Sequence, residues 1–289
     1  MTRDPAIYKG FFEWTKGNSG LIFDRMSLNR IVVTRGFETT PIPSTLSPTA
    51  QVAFDHVSSK IAASEVNGDP FAHVVIDDIF PREYYHEIRR HFPPEPFLTP
   101  LSETGRTRGT YKERKVLLFN DEHFTKLDKT RKAFWVECAA WLYSEHFIRA
   151  AVSKFLPFCE DRLAALFGAS GEVLVRSDAL LVSDRSGFAI GPHSDAPHRL
   201  ISFLFYLPED DRDRDLGTSL YRSKDPNFEC RGGPHYDFGD FIRAGTVAFL
   251  PNRLMMFVKS GRSFHGVEPV THEGVDRRLL INNVRLLKF

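Results

Sequence analysis

The sequence predicts an α+β fold that is mainly β, with a double-layered jelly roll or barrel as its core and helices beside it. Three observations point there. From residue 171 onward the chain breaks into eight short extended runs separated by Gly, Pro and Asp, the pattern of an antiparallel two-layer or closed core. Helical spacing occupies about 120–168, where Phe134, Cys138, Trp141 and Leu142 share one face. Phenylalanine is abundant, at 26 of 289 residues, and aromatic side chains suit a pleated, half-buried surface.

Taken in order, residues 1–69 show no clear periodicity or repeat, and "TTPIPSTLSP" reads as a loop. They are expected to form an N-terminal extension. The main domain is expected over 70–289, with helical support over 120–168 and the jelly-roll core over 171–289. "FAHVVIDDIF" reads as a strand and "PREYYHEIRRHF" as a short helix with Pro81 in its first turn, where a missing N–H costs nothing. "YKERKVLLF" at 111–119 is the next strand, and Gly168 is the expected stop of the helical block. The eight later strands are "EVLVRSDALLV", "FAIGP", "RLISFLFYLP", "GTSLYR", "TVAFLP", "LMMFV", "SFHGVEPV" and "RLLINNVRLL". Between the fourth and fifth lies "SKDPNFECRGGPHYDFGDFIRA", 223–244, too long for a hairpin turn; with Gly232 and Gly233 as hinges it is expected to act as a lid.

Composition excludes several function classes. Lys plus Arg is 38 and Asp plus Glu is 37, so no overall field draws the chain to nucleic acid or to an anionic membrane. Cys138, Cys159 and Cys230 are odd in number and form no CxxC pair, which argues against a disulfide framework and suits a reducing compartment. The N-terminus lacks the apolar core of a secretory signal and no run of 18 apolar residues occurs, so a soluble cytoplasmic protein is expected.

The chemistry concentrates in "IGPHSDAPHRLISFLFYLP", 190–208. In an extended segment residues i and i+2 share a face, so His193 and Asp195 can offer an imidazole nitrogen and a carboxylate oxygen to one cation. His265 in "SGRSFHGVEPV" is the natural third ligand, on a later strand that the fold can return to the first two. Two histidines and a carboxylate on one octahedral face leave positions open, the arrangement suited to non-heme Fe(II) and oxygen chemistry. A lone His-x-Asp is weak evidence. A second copy, His235 to Asp237, precedes "FGDF" rather than a strand and leaves little chain before His265. His198 lies three residues beyond Asp195, where an extended chain has reversed its face, and reads as a structural histidine. A zinc hydrolase built on His193, Asp195 and His198 is the enzymatic rival, and a non-catalytic metal-dependent binding module the rival from another class. Arg277 and Arg278, at the start of the last strand, complete the picture. One guanidinium turned inward could hold the far end of a dicarboxylate, and Arg278 is narrowly favoured over Arg277.

From about Pro70 to Phe289 the chain resembles the Fe(II)- and 2-oxoglutarate-dependent dioxygenases, in the branch of the prolyl 4-hydroxylases. The resemblance rests on "GPHSDAPHRLISFLFYLP", "SFHGVEPV" and the arginine-bearing final strand, in that order. It implies a double-stranded β-helix, cupin-like, with supporting helices packed on one sheet. It also implies iron on His193, Asp195 and His265, and an arginine on the C5 carboxylate of 2-oxoglutarate. The reaction implied consumes O2 and 2-oxoglutarate, with ascorbate in support, and releases succinate and CO2 as a small molecule is hydroxylated. Related halogenases carry a small residue where this chain has Asp195, so hydroxylation, or a derived desaturation or cyclisation, is expected rather than halogenation. The segment "GRTRGTYKERK", 105–115, is rich in Arg and Lys. It favours an anionic substrate where it lines a pocket mouth and is a solvated loop where it does not.

Overall fold

A computed structural model describes residues 28, 30–34, 39–107, 111–168 and 171–287. The strands are β1 (Ile31–Val33), β2 (His73–Ile76), β3 (Thr99–Pro100), β4 (Arg114–Leu118), β5 (Val173–Asp184), β6 (Ile190–His193), β7 (Arg199–Tyr206), β8 (Thr218–Ser223), β9 (Phe241–Val247), β10 (Arg253–Val258), β11 (His265–Val267) and β12 (Arg277–Leu286). The helices are α1 (Pro48–Ala63), α2 (Arg82–His91), α3 (Asp121–Thr125), α4 (Lys129–Leu142) and α5 (Glu145–Phe167). An eight-stranded sheet runs β2-β10-β7-β12-β5-β4-β3, with β1 added beside β5, and a four-stranded sheet runs β6-β11-β8-β9. Every strand pairing is antiparallel except that of β1 with β5. The result is a mixed, sheet-rich fold of two open sheets, consistent with a β-sandwich.

Strand alternation gives the larger sheet two different faces. On β7, Ile201, Phe203 and Phe205 join the helices in one apolar core. Leu204 and Tyr206 instead pack toward β8 and β9 of the smaller sheet, beside Leu220 and Val247. The helical side is anchored by α5, whose buried stripe of Phe147, Ile148, Ala151, Val152, Phe155, Cys159 and Leu163 follows helical spacing. Its start is capped by the Ser144 hydroxyl, which accepts from the Phe147 N–H at 3.2 Å. It stops at Gly168, whose φ of +72° is a left-handed conformation that glycine adopts without strain. Each fully buried Phe on this side contributes roughly 1.5–3 kcal/mol of transfer free energy. Among the described residues no helix is long and apolar enough to cross a membrane.

Two expectations change. The boundary at residue 70 is not a break in packing, because α1 places Ala50, Ala53, Val57 and Ile61 in the helix-side core and β1 extends the large sheet. Its periodicity is weak because two of those four are alanine while Val52 is 60% exposed. The strand expected at "TVAFLP" begins earlier, at Phe241 in β9, where Ser223 stands opposite Phe241. Residues 242–246 are all exposed, so β9 carries none of the alternation by which a half-buried strand is read. The long connection therefore ends before residue 241.

Candidate metal centre

Register brings the three expected ligands together. β11 pairs with β6 so that His265 lies directly opposite His193, and Asp195 follows β6 by two residues, buried at 3% exposure. The His193 Nδ1 lies 3.0 Å from the Gly191 carbonyl and the His265 Nδ1 3.0 Å from the Ser263 carbonyl. A carbonyl only accepts, so each Nδ1 donates and each neutral ring keeps its Nε2 lone pair for a cation. The Asp195 Oδ1 lies 4.0 Å from the His193 Nε2 and 3.9 Å from the His265 Nε2, and one ligand atom from each residue falls within 4.8 Å of the others. Bonds of about 2.0–2.2 Å to one cation require the set to close up by a small movement of the side chains. The carboxylate is fixed from behind: Oδ2 accepts from the Ser202 hydroxyl and Oδ1 from the Arg199 Nη1, each at 2.6 Å.

Electrostatics leave these side chains in ligand-ready protonation states. Burial, then the neighbouring His265, pushes His193 well below the ordinary histidine value, and burial lowers His265 as well. Burial alone would raise Asp195, but Arg199, the two histidines and the Ser202 hydroxyl outweigh it and hold the carboxyl below its usual range. Two neutral imidazoles and one carboxylate are what a divalent cation requires.

Of the two arginines on the last strand, Arg277 faces inward and Arg278 does not, which corrects the narrow preference for Arg278. Arg277 is 1% exposed and stands opposite Asp184 in the β12–β5 pairing. Its Nε donates to the Leu216 carbonyl at 2.6 Å and its Nη1 to the Asp184 Oδ2 at 2.9 Å. Arg278 donates to Asp276 at 2.7 Å and lays its guanidinium 4.9 Å from the Phe92 ring centre, on the helix-side face. Alternation admits one of two adjacent residues, but which one depends on the phase of the strand. Here Leu279 and Ile281 line the cavity with Arg277, while Leu280 and Val284 belong to the helix-side core.

The metal group and Arg277 open into one cavity of about 740 Å³, also lined by Arg106, Arg114, Tyr111, Arg199 and His235. That volume lies within the ~300–1,000 Å³ of small-molecule sites. The second His-x-Asp contributes His235 to the cavity rim, where its Nδ1 shares a 2.5 Å hydrogen bond with the Tyr111 hydroxyl. His198 turns away to Arg285, 2.7 Å from its Nη2, and is not part of the metal group. Residues 230–236 are pinned rather than free-standing: Cys230, Gly233 and Tyr236 donate backbone N–H groups to Gly261, Ser194 and Pro192. At Gly232, with φ of +117°, a Cβ would lie 2.0 Å from the Asp195 carbonyl oxygen, so only glycine allows the connection to seat against the metal segment.

Sequence reasoning missed Asp184, Asp178 and Arg199. The signal was present in "RSDALLVSD", where Asp178 and Asp184 fall on one face of an otherwise apolar strand. A carboxylate so placed stays buried only if paired. Within the basic segment 105–115, Arg106 and Arg114 line the cavity, while Arg108 lies outside the described residues.

No family model and no curated protein matches the chain. Among solved structures, it is similar to a Pseudomonas putida prolyl-4-hydroxylase, with a TM-score of 0.43 and 16% identity over 80% of this chain and 98% of that one. It is also similar to an oxidoreductase of the 2OG-Fe(II) oxygenase family from Burkholderia pseudomallei, with a TM-score of 0.41 and 12% identity over 86% of this chain and 95% of that one.

Proposed function

We propose that the protein is a non-heme Fe(II)- and 2-oxoglutarate-dependent dioxygenase that hydroxylates a small molecule on a double-stranded β-helix. One observation carries this reading: two histidines with free Nε2 atoms and a buried carboxylate converge on one point in a cavity that also holds a buried arginine. Two histidines and one carboxylate with open positions suit Fe(II) and oxygen chemistry. Bound iron, with 2-oxoglutarate and O2, would supply the oxidising power for an unactivated C–H bond, with succinate and CO2 as the other products.

The chain's own residues position and shield. His193, Asp195 and His265 present the ligand atoms, and Ser202, which also reaches the Asn283 Oδ1 at 3.2 Å, fixes the carboxylate plane. The bonds of Arg277 engage Nε and Nη1 and leave Nη2 for the far carboxylate of the diacid, where Arg114 shares Asp184 and keeps the net charge positive. Leu204, Leu279 and Ile281 form an apolar wall around that path. Asp195 would take up a coordination position that a halide would need, which favours hydroxylation. A zinc site using His198 lacks support, since that ring is committed to Arg285.

The test is turnover. Purified protein with Fe(II), ascorbate and labelled 2-oxoglutarate is expected to release labelled succinate slowly without added substrate, and His265→Ala is expected to abolish this. Absence of 2-oxoglutarate consumption in the wild type, or hydrolytic activity on zinc that survives His265→Ala, would overturn the reading.

A further inference from the structure

Two charged clusters reach the cavity, one through Arg277 and Arg114 and the other through Arg106, and the proposed reaction uses only the first. At the first, Asp184 lies between Arg277 and Arg114. At the second, Asp178 lies between Arg106 and Arg285: the Arg285 Nη1 is 3.0 Å from its Oδ2, and Arg106 contacts its Oδ1. Both aspartates sit on the same face of β5, facing β12. Each end therefore holds two guanidinium groups against one carboxylate. The first end is sealed, with side-chain exposures of 1% for Arg277 and 0% for Asp184. At the second, Arg106 is 31% exposed and lines the cavity, whereas Asp178 and Arg285 do not line it and hold Arg106 from its other side.

The second end also lies beside the metal group. Ser202, which binds Asp195, stands opposite Asn283 on β12. Asn283 is one same-face step from Arg285 and three from Arg277 along a strand whose alternate residues share a face. Arg199, 35% exposed, adds a further guanidinium at the metal-ligand carboxylate, and both Arg199 and Arg106 line the cavity. In all, Arg106, Arg114, Arg199, Arg277 and Arg285 face Asp178, Asp184 and Asp195. A dication and a dianionic cosubstrate cancel each other, so the surplus of positive charge persists when both are bound. Charge enclosed in this way is stabilised by an anionic partner.

We infer that the Arg106–Asp178–Arg285 end is the substrate-recognition site and that it takes a small molecule bearing a carboxylate or phosphate. This rests on the dioxygenase reading for the identity of the first end's ligand. The second end sets specificity by pairing Arg106 with the anionic group, while Arg285 and Asp178 hold Arg106 in place. It is not a second cosubstrate site, because Arg106 is 31% exposed where Arg277 is sealed at 1%.

The test is calorimetric titration of the full chain, loaded anaerobically with Mn(II) and 2-oxoglutarate, against inorganic phosphate and separately against acetate. At least one anion is expected to bind saturably, and which one binds better tells phosphate from carboxylate. Arg106→Gln is expected to weaken that anion at least about tenfold and leave 2-oxoglutarate affinity unchanged, with Arg106→Lys retaining part of the binding. Arg277→Gln is expected to do the reverse. Thermal melting confirms that each variant is folded. Equal anion affinity in wild type and Arg106→Gln, or saturable binding of neither anion by the wild type, would overturn the inference. Failure of 2-oxoglutarate to bind the wild type would instead overturn the dioxygenase reading, and it is read separately in the loading step.

Discussion

The two faces of the large sheet are made from the same strands and do opposite work. On β7 and β12 the helix-side face presents Ile201, Phe203, Phe205, Leu280 and Val284, all apolar and all buried. One residue along, the cavity face presents Ser202, Arg277 and Asn283, with Asp178 and Asp184 beside them on β5. Apolar burial is non-directional and scales with area, so the first face supplies stability and tolerates reshaping. Buried charge is stable only in the company of its partners, so the second face holds groups that a ligand can complete. The period of two in a strand is what allows stabilisation and recognition to share one backbone.

Four substitutions or conditions would break or sharpen that contrast. The largest stability effect belongs to the helix side: Phe203→Ala is expected to cost about 3–5 kcal/mol in urea unfolding, with cation affinity of the folded fraction unchanged. Asp184→Asn tests the exception on the cavity side. It strands Arg277 and Arg114 with one charge fewer and is expected to cost roughly 3 kcal/mol. Added 2-oxoglutarate should raise the melting temperature of this variant more than that of wild type. If Asp184→Asn melts like wild type, the buried pairs are not what holds the cavity face.

His265→Ala, in contrast, is expected to leave the cation-free unfolding free energy within about 1 kcal/mol of wild type while lowering Mn(II) or Fe(II) affinity by ~100-fold or more. Equal cation affinity in wild type and variant would remove His265 from the site. The smallest effect is in pH. Burial depresses His193 and His265, so below about 6.5 the unfolded chain binds protons that the folded one does not, and cation-free stability falls as pH falls through that value. Replacing both histidines by glutamine should flatten the slope; an unchanged slope would place its origin elsewhere.

Much of this was legible in the sequence, and the rest was hidden for definite reasons. His193 and Asp195 could be grouped because an i, i+2 spacing before an apolar run has one structural meaning, and His265 because a strand of the right kind carries it. The choice between Arg277 and Arg278 was not legible, since it depends on strand phase, which pairing with β5 decides. α1 escaped because alanines bury a helix without a strong apolar stripe, and β9 because both its faces meet solvent. The Asp178 and Asp184 clusters are tertiary, joining β4, β5, β12 and the segment around Arg106; "RSDALLVSD" signals that the two acids need partners, but no local pattern names them.

The central claim is that the His193, Asp195 and His265 group binds a cation next to a diacid held by Arg277. It is tested most directly by anaerobic titration of Fe(II)-loaded protein with 2-oxoglutarate, followed by visible absorption. A saturable new band is expected in wild type, at much higher 2-oxoglutarate concentration in Arg277→Gln, and not at all in His265→Ala. No band in wild type, or the same titration curve for Arg277→Gln and Arg278→Gln, would contradict it.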